Sequence, residues 1–458
     1  MSDAIAAQSD AWEVKPLADL AEKIQYGYTA KARSDSDGIR YLRITDIQDD
    51  QVDWGTVPSC DVGDAESEKY LLSEGDLVFA RTGATVGKSF LLRGSVPRAV
   101  FASYLIRVKL RNHIDPRYVA YFFQSPAYWN QIAESSAGIG QPNVNGTKLA
   151  QIRIPVAPPK QQQEIVAEIE KQFSRLDEAV ANLRRVKANL KRYKASVLKD
   201  AVEGRLVPTE AELARREGRS FETGEQLLQR LLEIRRGRPK GKSKYKEPPS
   251  PDAIGLDDVP DGWVWASVEQ LVAHLTDGDH QAPPQTDSGV PFLVIGNVRS
   301  GEIDLTDTRF VGEPYYNSLD PYRQPKMGDL LYTLVGSYGI PVRVKTDERF
   351  CIQRHMAILR PHDQSPMDYL TIAMESNEVF KQATAVATGT AQMTVPLSGL
   401  RKIAIGLPPT AEQNRIVAEV DRRLSLVRGV EAEVDTNLMR AQALRQSTLT
   451  KAFSEGQT

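Results

Sequence analysis

The sequence predicts an α+β protein built of two similar domains, each followed by a long helical arm, with a pseudo-two-fold internal repeat. Three observations carry this reading. The chain is written twice at an offset of 251 residues, "WEVKPLADLAEKIQYG" from Trp12 returning as "WVWASVEQLVAHLTDG" from Trp263. Each copy alternates short β-like runs with turn signals and adds one helical patch. After Pro158-Pro159, and again after Pro408-Pro409, the pattern changes to a long amphipathic seam.

The repeat holds in order along the whole length. Gly38-Ile39 answers to Gly289-Val290, and "YLRITDI" from Tyr41 to "FLVIGNV" from Phe292, so Asp46 stands opposite Asn297. Gly75 and Asp76 face Gly328 and Asp329, Ile165 faces Ile416, and "SVLKDA" from Ser196 matches "STLTKA" from Ser447. Solenoid repeats run about 20 to 50 residues, far shorter than this period, so each copy is a domain plus an appendage.

In the first copy "GIRYLRITDI", "DLVFA", "YLIRVKL" and "QIRIPV" read as strands, and "PRYVAYFFQSPAYWNQIAE" as a helical patch packed on them. "PMDYLTIAMESNEVFKQAT" is its counterpart. "RTGATVGKSF", from Arg81 to Phe90, has the flavour of a phosphate-binding loop, but only three residues separate Gly83 from Gly87 where that loop needs four. The apolar runs on both sides make it a β-hairpin tip. The second copy, "TLVGSYGIPVR", has lost the Gly-Lys-Ser altogether.

The first arm carries Ile169, Phe173, Leu176, Val180 and Leu183 at alternating spacings of four and three, a coiled-coil seam that continues after one slip through Val186, Leu190, Tyr193 and Val197. The second arm shows Val420, Leu424, Val427, Val434, Leu438 and Ala441. A helix over 164–203 spans about 60 Å. With one apolar stripe it needs a partner, and its own repeat is the obvious one, the two arms forming a spacer. The expected division is 1–158, first domain; 159–207, first arm; 208–260, basic linker; 261–408, second domain; 409–458, second arm. Within the linker "RRGRPKGKSKYK" carries seven basic residues and no acid from Arg235 to Lys246. A solvated connector and a contact with DNA phosphate or an acidic partner are both open readings.

Composition bounds the function. Hydrophobic residues at 41% and charged residues at 26% are ordinary for a globular protein, and a net charge of -2 gives no global sign of nucleic-acid binding. Two distant cysteines, Cys60 and Cys351, exclude a disulfide framework and fit a reducing, cytoplasmic setting. No secretory signal and no membrane-length apolar run is present, so no membrane partner is expected. His113, His274, His280, His355 and His362 share no metal-ligand spacing, and "DGDH" from Asp277 is "YGYT" in the first copy, which favours a turn around Gly27 and Gly278 over a metal site. No catalytic motif is found, so the expectation is a non-enzymatic chain holding no metal or cofactor of its own.

Two heads on a spacer suit double-stranded DNA, a long and repetitive ligand. Loop residues of suitable chemistry are Tyr26, Tyr28, Lys31, Arg33, Arg81, Thr82, Lys88, Gln141, Asn143 and Asn145 in the first copy. In the second they are His280, Gln281, Arg299, Ser337, Tyr338, Gln392 and Thr394.

The doubled layout, the "GDLVFARTGATVGK" and "GDLLYTLVGSYG" hairpins, the entry to each arm ("PPKQQQEIVAEI", "PPTAEQNRIVAEV"), "LLQRLLEIRRGRPKGK" and "VPDGW" together resemble the specificity subunit of type I restriction-modification systems. The resemblance covers nearly the whole chain. It implies that each head is a target recognition domain for one half of a split DNA sequence. The arms would form an antiparallel coiled coil seating two modification subunits, which supply S-adenosylmethionine-dependent adenine methylation. A restriction subunit, where present, would supply translocation and cleavage driven by ATP and Mg. Two departures stand out: Gln161-Gln162 where the family tends to Glu-Gln, as at Glu412-Gln413, and "TAQMTVP" against "GQPNVNG". The alternative is a stand-alone DNA-binding regulator or architectural protein.

Overall fold

A computed structural model describes residues 12–34, 38–48, 50–81, 86–136, 144–237, 245–299 and 301–454. The chain divides into two compact units, residues 1–185 with 434–458, and residues 186–433. Each unit therefore takes one head together with a portion of both arms.

In the first unit a four-stranded antiparallel sheet runs in the order Ala21–Tyr26, Leu105–Leu110, Leu77–Ala80, Ser89–Leu91. Leu77–Ala80 is buried throughout, as its unbroken apolar run requires for an inner strand. The helices Pro116–Phe122 and Pro126–Ser136 cover the sheet, and Phe79 meets Phe123 edge to face at 4.8 Å. Asp115 starts the first of these helices by accepting the N–H of Arg117, with Pro116 pre-setting the backbone. A second sheet pairs Ile39–Leu42 antiparallel with Ser59–Cys60 and parallel with Ala99–Phe101. Glu13–Pro16 and Arg153–Val156 pair antiparallel, closing the head where the chain enters and leaves it.

The second unit repeats this order. His274–Asp277, Met356–Arg360, Leu330–Thr333 and Pro341–Arg343 form the main sheet, Val290–Leu293 pairs parallel with Cys351–Ile352, and Val264–Ser267 closes on Ala404–Leu407.

The arms are single helices, Pro159–Val202 and Thr410–Ser454. Within the first unit their segments run antiparallel. Thr448 donates its hydroxyl to Gln172 at 3.0 Å, and Arg445 pairs with Asp177 at 2.7 Å while its guanidinium lies 4.0 Å from the centre of the Phe173 ring. Ile169, Phe173, Leu449 and Phe453 are buried against Tyr118, Tyr121 and Phe122 of the head. Within the second unit Val197, Leu198 and Ala201 join Ile416, Val420 and Leu424 in one core. Of the predicted seam, Val427 and Val434 are also buried, Leu176, Val180, Leu183, Leu190 and Leu438 are half-buried, and Val186 and Tyr193 are exposed, off the seam where the heptad slips.

The segment expected to be a linker departs most. Thr209 opens a helix, Glu210–Glu217, with a capping box to Glu212, and a second helix follows at Gly224–Gly237. Leu227, Leu228, Leu231 and Leu232 lie on one face of it and are buried with Trp263 and Leu407 in the core of the second unit. Each such leucine contributes about 2 kcal/mol of burial, enough to dock the segment. The basic run of 235–246 falls largely outside the described residues.

Candidate nucleic-acid interface

At one end of the main sheet of the first unit three segments converge: the end of strand Ala21–Tyr26, the end of strand Leu77–Ala80, and the turn before helix Gly146–Ala150. The Gly146 N–H donates to the Tyr26 hydroxyl at 2.7 Å, and the Val144 N–H to the Arg81 carbonyl at 3.3 Å. The Arg81 guanidinium lies over the Tyr26 ring, 5.2 Å from its centre. Strand Leu77–Ala80 returns through an antiparallel pairing with Ser89–Leu91, so the Gly-Lys-Ser stretch belongs to a hairpin and opens no helix. The Tyr128 hydroxyl donates to the Gly87 carbonyl at 2.7 Å and Trp129 packs on Gly87, bracing the return.

The second unit builds the same frame. The Val395 N–H donates to the Leu334 carbonyl at 2.8 Å, the counterpart of the Val144–Arg81 bond, and the Gly336 N–H to the Met393 carbonyl at 2.9 Å. Tyr338 stacks on Phe380 at 5.4 Å and its hydroxyl is 3.0 Å from that of Thr384. Gln392 lies against Gly336, and Thr394 pairs with Thr388 and Val335. Ser337, Tyr338, Gln392 and Thr394 thus meet in one place, as Tyr26, Arg81 and Asn145 do in the first unit.

Several of the expected readers also make contacts within the fold. The Tyr28 ring packs 5.5 Å from Tyr70 and its carbonyl accepts the Tyr41 hydroxyl, so it supports the second sheet. Arg33 is paired with Asp61 at 2.6 Å. Asn145 caps the helix Gly146–Ala150 by accepting the Lys148 N–H at 2.8 Å. Lys31, Lys88, Gln281 and Arg299 are exposed. His280 sits 2.8 Å from the Asp277 carboxylate. Beside it, burial would lift the Asp279 carboxyl, but hydrogen bonds from Tyr315 at 2.7 Å and from backbone N–H groups hold it below its usual range. Thr82, Gln141 and Asn143 lie outside the described residues.

Gly27 and Gly278 mark close approaches where turns were expected. A Cβ on Gly27 would stand 2.2 Å from the Ala102 carbonyl oxygen, and one on Gly278 2.3 Å from that of Ile352. The aromatic braces Trp129 and Phe380 were missed as surface features. The signal was present, for they are 251 residues apart in register with the repeat and both are over a third exposed.

A groove of about 1290 Å³ also opens in the first unit between the head and the arm segments, lined by Trp54, Arg93, Tyr121, Phe173, Asp177 and Arg445 among others. Among the described residues no group of three or more His, Cys, Asp or Glu side chains could hold a metal. Burial pushes the Cys60 thiol up to about 11 and the Cys351 thiol up to about 12, leaving both protonated at neutral pH. Among the described residues no helix is long and apolar enough to cross a membrane.

Residues 9–191 match the type I restriction modification DNA specificity domain. The chain is 25% identical over 465 residues to the type I restriction enzyme EcoKI specificity subunit of Escherichia coli K12, covering 97% of this chain and 89% of that protein. It is 25% identical over 470 residues to the StySPI specificity subunit of Salmonella potsdam, with the same coverage. A solved chain from a structure described as the basis of complex assembly and conformational transition of the type I R-M system shares its fold, with a TM-score of 0.64, 19% identity and 97% of both chains covered. Over nearly its whole length the chain is thus similar to the specificity subunits of type I restriction-modification systems, and its first head and the start of its first arm carry the matched DNA specificity domain.

Proposed function

We propose that this chain is the sequence-reading subunit of a type I restriction-modification assembly. Its two heads bind the two halves of a split duplex target, and its arms seat two modification subunits that methylate adenine with S-adenosylmethionine. Where a restriction subunit joins, ATP and Mg drive translocation and cleavage in that partner. The chain itself performs no catalysis and holds no cofactor; it positions the partners on DNA.

One observation carries the reading. Both units present the same backbone frame, a hairpin end hydrogen-bonded to the segment before a short helix, yet Tyr26 and Arg81 in the first stand where Asp277 and Leu334 stand in the second. A retained frame with exchanged side chains is what reading two different half-sites demands.

Sequencing N6-methyladenine in host DNA with the gene intact or deleted, the modification subunit left in place, tests it. A split motif should lose methylation on deletion, and exchanging residues 12–158 should change one half of the motif. An unchanged methylation pattern would overturn the reading in favour of a stand-alone DNA-binding regulator.

A further inference from the structure

We propose that Arg81 is a specificity-determining residue of the first head, reading a guanine of the first half-site through the fork of its guanidinium. This rests on the DNA-recognition role proposed above and deepens it to one residue and one base.

Arg81 is held by its backbone at two points, its N–H donating to the Tyr104 carbonyl at 3.1 Å and its carbonyl accepting from Val144 at 3.3 Å. Its side chain lies over the Tyr26 ring, which is itself fixed by the Gly146 N–H on the Tyr26 hydroxyl. Among the described residues no carboxylate pairs with Arg81, and its Nε is buried without an acceptor. Arg33, the other arginine expected as a reader in this head, is already paired with Asp61. A guanidinium left without a counter-charge in a candidate interface can offer its terminal amino groups to a ligand.

The second unit shows that the fold does not need this pair. Its frame keeps the corresponding backbone bond, on Leu334, while Asp277 stands where Tyr26 does and Leu334 where Arg81 does. Two neighbouring side chains have changed together on an unchanged scaffold. Their chemistry also selects a ligand. A phosphate asks for a positive charge, which the exposed Lys31 and Lys88 provide without being fixed in plane. A guanidinium over an aromatic ring is steadied there by cation–π attraction, and its forked donors match O6 and N7 of guanine in the major groove.

The test is N6-methyladenine sequencing in cells carrying the full chain with its partner subunits, as wild type, Arg81→Lys and Arg81→Gln. The expected wild-type motif has a guanine in its first half that both variants cease to require, discrimination at that position falling about tenfold or more. The second half of the motif should stay as it was, which also reports that the variant folds and assembles. A motif unchanged base for base, at lower occupancy, would overturn the inference and make Arg81 a phosphate contact. Complete loss of methylation with both variants would overturn it too, marking a structural role that even lysine cannot fill. Wild-type methylation that does not depend on this chain would instead defeat the recognition role itself.

Discussion

At the residue scale, the same position in the two copies is often occupied according to how many partners it must satisfy. Trp12 donates its indole N–H to Gln161 at 3.0 Å, and Trp263 donates to Glu412 at the same distance. Glu412 also accepts the Glu210 N–H at 2.8 Å, so it needs two acceptor oxygens, which a glutamine side chain lacks. The Gln161 departure from the family pattern thereby acquires a physical cause. Glu412→Gln should leave one buried donor unpaired and destabilise the second unit by about 1–3 kcal/mol, measured by denaturant unfolding. Gly27 is singled out in the sequence but for a turn; the crowding comes from the carbonyl of Ala102, just past the strand Ala99–Phe101 and 75 residues away, which no local signal carries. Gly27→Ala should cost about 2–4 kcal/mol, since backbone must move. Gly63→Ala, with nothing within 4 Å of the new Cβ, should be near neutral in the same melts. Equal costs for the two would refute the crowding argument.

At the scale of elements, strands and arms were legible because apolar period and turn chemistry agree along them, whereas the helices Glu210–Glu217 and Gly224–Gly237, nearly balanced in charge themselves, were overshadowed by the basic run that begins at Arg235. Their leucines at 227, 228, 231 and 232 were a readable helical face. Leu231 is fully buried, so Leu231→Ala should destabilise the second unit by about 2–5 kcal/mol and leave the unfolding of the first unit in place. A free linker would show no change. The same element brings a pH dependence. Burial tends to raise the Glu210 carboxyl, but hydrogen bonds from Arg219 and Arg415, at 2.5 and 2.6 Å, outweigh it and hold the group below the usual glutamate range. A depressed carboxyl stabilises the fold above its unfolded value and loses that contribution as pH falls through its folded value. Wild-type stability of the second unit should therefore drop on acidification below about pH 4.5 more steeply than that of Glu210→Gln, which has already lost that contribution at neutral pH. Parallel pH profiles would show that Glu210 contributes nothing.

At the scale of the whole molecule, the duplication made the two-head, two-arm plan readable before any coordinates, because a period of 251 residues fixes domain number and order. What the repeat could not show is which arm segment stabilises which head. Antiparallel helices exchange partners end for end, and the pairing is set by contacts hundreds of residues apart. Leu449 and Phe453, near the end of the chain, are buried beneath Tyr118 and Phe122, with Phe453 5.1 Å from the first ring and 5.4 Å from the second. The first head is thus completed by the last turns of the second arm, and a boundary at residue 158 leaves out part of its core. Each of these two apolar side chains is worth about 2 kcal/mol on burial, a large share of a domain's net stability. A fragment of residues 12–185 should consequently melt at lower temperature than the same fragment supplied with a peptide of residues 434–454. The gain should vanish with a peptide carrying Leu449→Ala and Phe453→Ala, because charge pairs such as Arg445 with Asp177 remain but are too exposed to hold the helix alone. If the double-alanine peptide stabilises the fragment as well as the natural one, the head folds on its own residues and the arm terminus is only laid against it.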